Sequence, residues 1–206
     1  MRDVHDTREV EAGRLALRSA RVVTEVFAPA LLAAAMPVVI GVTSVSPLVD
    51  GLGWALVGAL FCSAIPNALI WWDVRRGRLT DHHIRVREQR RTPLLYGLLS
   101  VLVGLSLMIG LGAPRPVTAI IVVMFLLGVA VTAVNLVWKL SIHAAVAAGS
   151  AGVLVVAFGP VLLATAPLVA LVGWSRVRLR DHTVAQVIAG TAVGVLVAAP
   201  TFLALR

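Results

Sequence analysis

A chain of 206 residues that is 59% hydrophobic, only 14% charged and of mean hydropathy +0.95 is not composed to fold in water. Several apolar runs approach or exceed the roughly 20 residues a helix needs to cross a ~30 Å hydrocarbon layer, and the ~10-residue alternating segments of a membrane β-barrel do not occur. The formal net charge of +8 would suggest nucleic acid in a soluble protein, but here the arginines crowd between apolar runs. That placement speaks for membrane orientation and anionic headgroups or phosphates, and against a nucleic-acid partner. Cys62, the single cysteine, lies in an apolar run and offers neither an intrachain disulfide nor a thiolate cluster.

Residues 1–22 set Arg2, Arg8, Arg14, Arg18 and Arg21 against Asp3, Asp6, Glu9 and Glu11. This mixture is not a cleavable signal peptide, so the first span is expected to be retained. The segment reads as a solvated tail in which Asp6 or Thr7 caps a short surface helix. Residues 23–206 then form one membrane-embedded helical domain. The first expected span, 24–45, is interrupted by Pro29 and Pro37, which membrane helices tolerate. A turn through Pro47 and Asp50 leads to a second span, 51–72, closed by Trp71 and Trp72.

The long polar loop 73–92 carries Arg75, Arg76, Arg78, Arg85, Arg87, Arg90 and Arg91 around Asp81-His82-His83. A third span, 93–112, reverses at Pro114-Arg115-Pro116 into a fourth, 117–138. Lys139 to His143 makes a small polar junction before a fifth span, 143–158. Gly159-Pro160 signals a turn, and a sixth span follows at 160–174. Both are short for full crossings, which tilt or a locally thinned bilayer accommodates. The polar stretch 175–182 precedes the last span, 183–205. The expected fold is therefore an all-α polytopic membrane bundle of about six to seven helices.

Each polar segment is two spans from the next, so the tail, 73–92, 139–143 and 175–182 should share one side. Trp71, Trp72, Trp138 and Trp174 close spans on that side as an interfacial belt would. The opposite turns hold almost no basic residue besides Arg115 and Arg206, so the positive-inside rule makes the basic side, with the N-terminus, cytoplasmic.

Within 175–186, His182 and Gln186 are spaced i, i+4, so that a helix beginning near Asp181 sets an amide beside the imidazole. Arginines 176, 178 and 180 lie just upstream. A neutral imidazole is a competent nucleophile near pH 7, a second histidine can protonate a leaving group, and guanidinium forks match phosphoryl oxygens.

Ser175-Arg176, five residues, then His182 resembles the third motif, S-R-x5-H-x3-D, of the phosphatidic acid phosphatase type 2 superfamily. Leu140-Ser141-Ile142-His143 is similar to its second motif, P-S-G-H, and the loop 73–92 stands where the first, K-x6-R-P, is found. The resemblance covers roughly residues 50–205. It implies a metal-independent, cofactor-free lipid phosphatase in which His182 forms a phosphohistidine and His143 protonates the leaving oxygen. Gln186 would orient the nucleophile, and Arg176, Ser141, Ser175 and Lys139 would hold phosphate. Arg85 with Arg91, or Arg87 with Arg90, would replace the first-motif pair. The form His-Thr-x-x-Gln-Val looks like that of dolichyl-diphosphatase-type members, which implies a polyprenyl phosphate substrate, with glycerolipid phosphates open.

Gln186 departs from the family's aspartate, and Leu140 and Ile142 replace its proline and glycine. Ile84 and His83 stand where its lysine would be, and Thr92 comes before Pro93. Two adjacent histidines diverge on a helix and no second carboxylate–histidine group occurs, so Asp81-His82-His83 is not expected to hold metal. Asn67 and Asn135 read as interhelical hydrogen bonders. Other classes remain: a lipid-phosphate-binding or scaffold relative without catalysis, an intramembrane prenyltransferase or cyclase, and a transporter. The lack of D-D-x-x-D or D-x-x-x-D disfavours the prenyltransferase or cyclase, and the near absence of charge within spans disfavours an ion-coupled transporter.

Overall fold

A computed structural model describes residues 3–84 and 86–206. Helix α1, Asp3–Val26, runs unbroken through residue 22, where a tail was expected to end. Ala20 and Thr24 on it are buried, so its second half belongs to the body of the protein. Pro29 lacks the N–H that would continue the helix. It therefore opens a new one, α2 (Pro29–Ser44), bent by 44° from α1.

Helices α3 (Leu48–Ala59) and α4 (Ile65–Arg75) are joined by a π-helical turn, Leu60–Ala64, into one 28-residue stretch. The wide turn lies directly before Pro66, whose missing donor it accommodates. A 3-10 turn, Arg87–Arg90, leads into α5 (Arg91–Gly110), and α6 is Arg115–Val137. Helix α7 is Ile142–Phe158, followed at Gly159 by a second 3-10 segment, Pro160–Thr165, and α8 (Ala166–Arg178). Helix α9 is Val184–Leu205. Among the described residues there is no strand, and the fold is all-α.

Five of these stretches are long and apolar enough to cross a membrane, and the bent α1–α2 pair makes a sixth if it is one span. Helix α7, at 17 residues, is shorter. The core gathers Met36, Ile40, Met108, Ile120, Ile121 and Phe202. Leu56, Leu99, Leu111 and Leu196 point outward, each more than 60% exposed. An apolar surface of that kind suits lipid rather than water.

In lipid the association of helices rests on close packing of small residues rather than on hydrophobicity. The α7–α9 pair shows this. A methyl built on Gly190 would stand 2.5 Å from the Ser141 carbonyl oxygen, and one on Gly194 would run into the Ala145 carbonyl. The two backbones therefore nearly touch. This places the first turn of α7, with His143, beside the start of α9, with His182 and Gln186.

Candidate functional site

The turn between α8 and α9 is a Schellman motif. The Arg180 N–H bonds to Val177 O at 2.9 Å, and the Asp181 N–H to Arg176 O at 3.0 Å. Arg180 takes the left-handed conformation, φ 57°, that glycine usually supplies there. The turn folds Asp181 back onto the helix, where its carboxylate meets the Arg176 guanidinium at 2.9 Å. Arg176 is 1% exposed, and its NH1 donates to Thr24 Oγ1 at 3.2 Å. Ser175 Oγ gives its single proton to Val172 O at 2.7 Å, so the Thr24 hydroxyl must donate to Ser175 Oγ at 3.1 Å. Ser175, expected to bind phosphate, instead ends a buried hydrogen-bond chain that ties α8 to α1.

Helix α9 begins with a capping box. Thr183 Oγ1 accepts from Gln186 N at 3.3 Å, and Gln186 Oε1 accepts from Thr183 N at 3.2 Å. The same Oε1 lies 3.1 Å from His182 Nδ1. His182 stands just before the helix rather than on it, and the amide reaches back to it. The backbone N–H fixes which end of the amide faces His182. An oxygen there requires that Nδ1 carry the proton, which leaves the lone pair on Nε2. Burial lowers the His182 pKa, with Arg90, Arg176 and Lys139 adding to the effect and the Gln186 bond opposing it, to about 3. The ring is neutral at pH 7.

Ser141 caps α7, its Oγ accepting from Ala144 N at 3.4 Å, while its own N–H bonds to Gln186 O at 3.3 Å. Its expected role as a phosphate donor is thus matched by a structural one. His143 is 5% exposed, and its Nε2 has no partner among the described residues. Arg90, 3% exposed, donates from Nε to Ile84 O at 2.8 Å and from NH1 to Asn135 Oδ1 at 2.9 Å and Leu140 O at 3.0 Å. Asn135 is therefore a bonder between elements, as its place inside a span suggested. Arg91, by contrast, is exposed at the start of α5, and Arg87 reaches Leu136 O. Of the two arginine pairings considered for the first motif, Arg90 is the member brought to the site. Lys139 is half-buried at the α6–α7 junction; burial, then Arg90, pushes its pKa down. Arg85 lies outside the described residues.

The loop after α4 supplies two more imidazoles. His83 Nε2 lies 2.8 Å from Glu25 Oε1, and His82 Nε2 lies 3.6 Å from Glu25 Oε2. The His83 ring is 5.2 Å from that of His143. Burial lowers the His83 pKa, against the raising effect of Glu25. The reasoning that adjacent histidines diverge fails here because they sit in a turn, not a helix.

Glu25, His82, His83, Arg90, His143 and His182 line one end of a cavity of about 430 Å³. Its other end is apolar, with Leu94, Leu98, Met124, Leu127, Val131 and Val146. Arg176, Ser141, Ser175, Lys139 and Gln186 support this cavity without lining it. Helices α1, α7, α8 and α9 and the 73–92 loop therefore meet at one end of the bundle, where Trp71, Trp72, Trp138 and Trp174 are each more than 40% exposed. No protein-family model, curated protein or solved structure matches the chain.

Thr24 and Glu25 were not anticipated. The available signal was the adjacent pair Thr24-Glu25 near the start of the apolar run 22–45, since polar groups placed there tend to face a functional interior. The Thr-x-x-Gln capping signature at Thr183 was equally readable.

Proposed function

We propose that this chain is a membrane lipid phosphatase that cleaves the phosphate or diphosphate ester of an isoprenoid or glycerolipid through a phosphohistidine at His182. The observation that carries the reading is the Nδ1–H tautomer of His182. It leaves a neutral Nε2 lone pair on a residue that lines the same cavity as Arg90 and His143, with an apolar end suited to a lipid tail.

In the first step Nε2 forms a bond to the terminal phosphorus as that phosphorus loses its oxygen to the lipid alcohol or, in a diphosphate, to the lipid phosphate, and His143, entering as imidazolium, gives that oxygen its proton. In the second, water attacks the phosphohistidine while His143 takes a proton from it, releasing inorganic phosphate and restoring His182. Arg90 contributes positive charge to the phosphoryl oxygens, and Arg176 acts from behind His182. Both steps balance on these residues alone. By the asymmetry of basic residues the site faces the cytoplasm. An Arg78→Cys variant should accordingly react with a membrane-impermeant maleimide only after the cells are opened.

One observation favours a second reading, a lipid-phosphate-binding protein without turnover. Arg176 and Arg90 already spend donors on Asp181, Thr24 and backbone oxygens. Phosphate release from a polyprenyl phosphate, a polyprenyl diphosphate and phosphatidic acid separates the two. The phosphatase reading expects release by the wild type, none by His182→Ala or His143→Ala, and acid-labile phosphate on the wild-type protein. Binding of all three lipids with no release from any would install the second reading.

A further inference from the structure

We propose that Glu25, His82 and His83 form a binding site for a divalent transition-metal cation, of which Zn2+ best suits the donors, at the polar end of the cavity. One ligand atom from each residue lies within 4.8 Å of the others. The Glu25 carboxylate turns one oxygen to each ring, at 2.8 Å from His83 Nε2 and 3.6 Å from His82 Nε2. Donors around a tetrahedral zinc with bonds of ~2.1 Å stand about 3.4 Å apart, so the Glu25–His83 contact, now at hydrogen-bond distance, would open slightly while the wider separations, up to 4.8 Å, close around the ion. Two imidazoles and a carboxylate are the ligand set of many catalytic zinc sites, and their softness favours zinc or cobalt over magnesium or calcium.

The ligands are held in place by their surroundings. Asp81 Oδ1 accepts the His83 N–H at 2.9 Å, closing the turn that brings two successive rings to within 4.0 Å of each other. The His82 ring is stacked on Trp71 at 4.9 Å with only 12° between the planes. Such outer contacts are what orients a ligating histidine. Glu25 comes from the last turn of α1, so a cation would join the N-terminal helix to the 73–92 loop.

A second observation points the same way. Three protein donors leave one position of a tetrahedral site open. The cavity that these ligands line also holds His143, 5.2 Å from His83 ring to ring, whose Nε2 is buried with no partner among the described residues. A water or anionic oxygen on the open position would give that nitrogen a partner.

The proposal stands apart from the phosphatase reading and is tested without substrate. The full chain in detergent, with any affinity tag removed and metal stripped by chelator, is titrated with Co2+ and followed by the visible bands of a four-coordinate cobalt centre. One equivalent per chain, displaced by Zn2+, is the expected result. Glu25→Gln keeps the shape of a side chain that is 59% exposed and so leaves folding intact, which the elution profile checks. It should weaken binding by at least about tenfold, as should His82→Ala and His83→Ala, whereas His182→Ala should bind as the wild type does. Absence of those bands, or equal affinity in the wild type and Glu25→Gln, overturns the proposal. Failure here would leave the chemistry at His182 standing, and a phosphatase assay without turnover would leave a cobalt site standing.

Discussion

Replacing Gln186 by glutamate perturbs the one atom on which the tautomer of His182 depends. The amide oxygen accepts from a neutral ring, a bond worth about 0.5–1.5 kcal/mol, whereas a bond involving a charged group is worth about 1.5–3 kcal/mol. The ring becomes cationic only as Nε2 bonds to phosphorus, so the added strength is realised in the transition state and not before. A gain of about 1.4 kcal/mol corresponds to roughly tenfold in kcat. Glutamate at the third helical position also preserves the capping box, and an acid in the first turn of α9 adds about 0.3–1 kcal/mol of stability. Gln186→Ala removes both functions. Its kcat should fall by roughly 10- to 100-fold, and about 1 kcal/mol of stability should be lost with the cap. The assays are steady-state phosphate release and an NMR titration of His182, whose pKa should rise from about 3 in Gln186→Glu. If Gln186→Ala lost stability but kept its kcat, Gln186 would be a helix cap and nothing more. An unmoved His182 titration in Gln186→Glu would likewise refute the contact between the two side chains.

Arg180→Gly relieves a left-handed residue in the Schellman turn and should stabilise the protein by about 1 kcal/mol, read as a raised unfolding temperature in detergent with kcat unchanged. Arg176→Met removes the guanidinium that faces the buried Asp181 carboxylate at 2.9 Å and should cost about 3–5 kcal/mol, with partial recovery on adding Asp181→Asn; a fully stable single variant would show that the ion pair is dispensable. The folded pKa of His182, about 3, lies below its unfolded value of about 6.5. The group is therefore silent above pH 6.5, and between pH 6.5 and 3 the unfolded chain binds the proton first. Stability should thus fall on acidification through that window, by about 5 kcal/mol in full, with His83 acting in the same direction. His182 should contribute no acid limb near pH 6.5 to kcat/KM.

Hydropathy is a property of the local chain, and for that reason the helices could be placed from residue order alone. Expected spans at 93–112, 117–138, 143–158 and 183–205 became Arg91–Gly110, Arg115–Val137, Ile142–Phe158 and Val184–Leu205. The pairing of His182 with Gln186 was legible for the same reason, since four residues are joined by a single turn of backbone. What escaped were pairings across long separations. Thr24 meets Ser175 over 151 positions and His83 meets Glu25 over 58, and no periodicity encodes either. Charge along α1 signals solvent, and residues 11–22 are indeed mostly exposed; what the charge could not show is that Ala20 and, just beyond the stretch read as a tail, Thr24 are buried, Thr24 against Ser175 of α8. The roles of the polar residues divide the same way. Composition marked Ser175, Arg176 and Arg90 as polar groups in an apolar chain, and such groups must find partners when buried. Whether those partners are a substrate's oxygens or the protein's own is set by helix packing. The packing of α8 on α1, the Schellman turn after α8 and the fold of the loop onto α1 decided it, giving Ser175 to Thr24 and Val172, Arg176 to Asp181, and both loop histidines to Glu25.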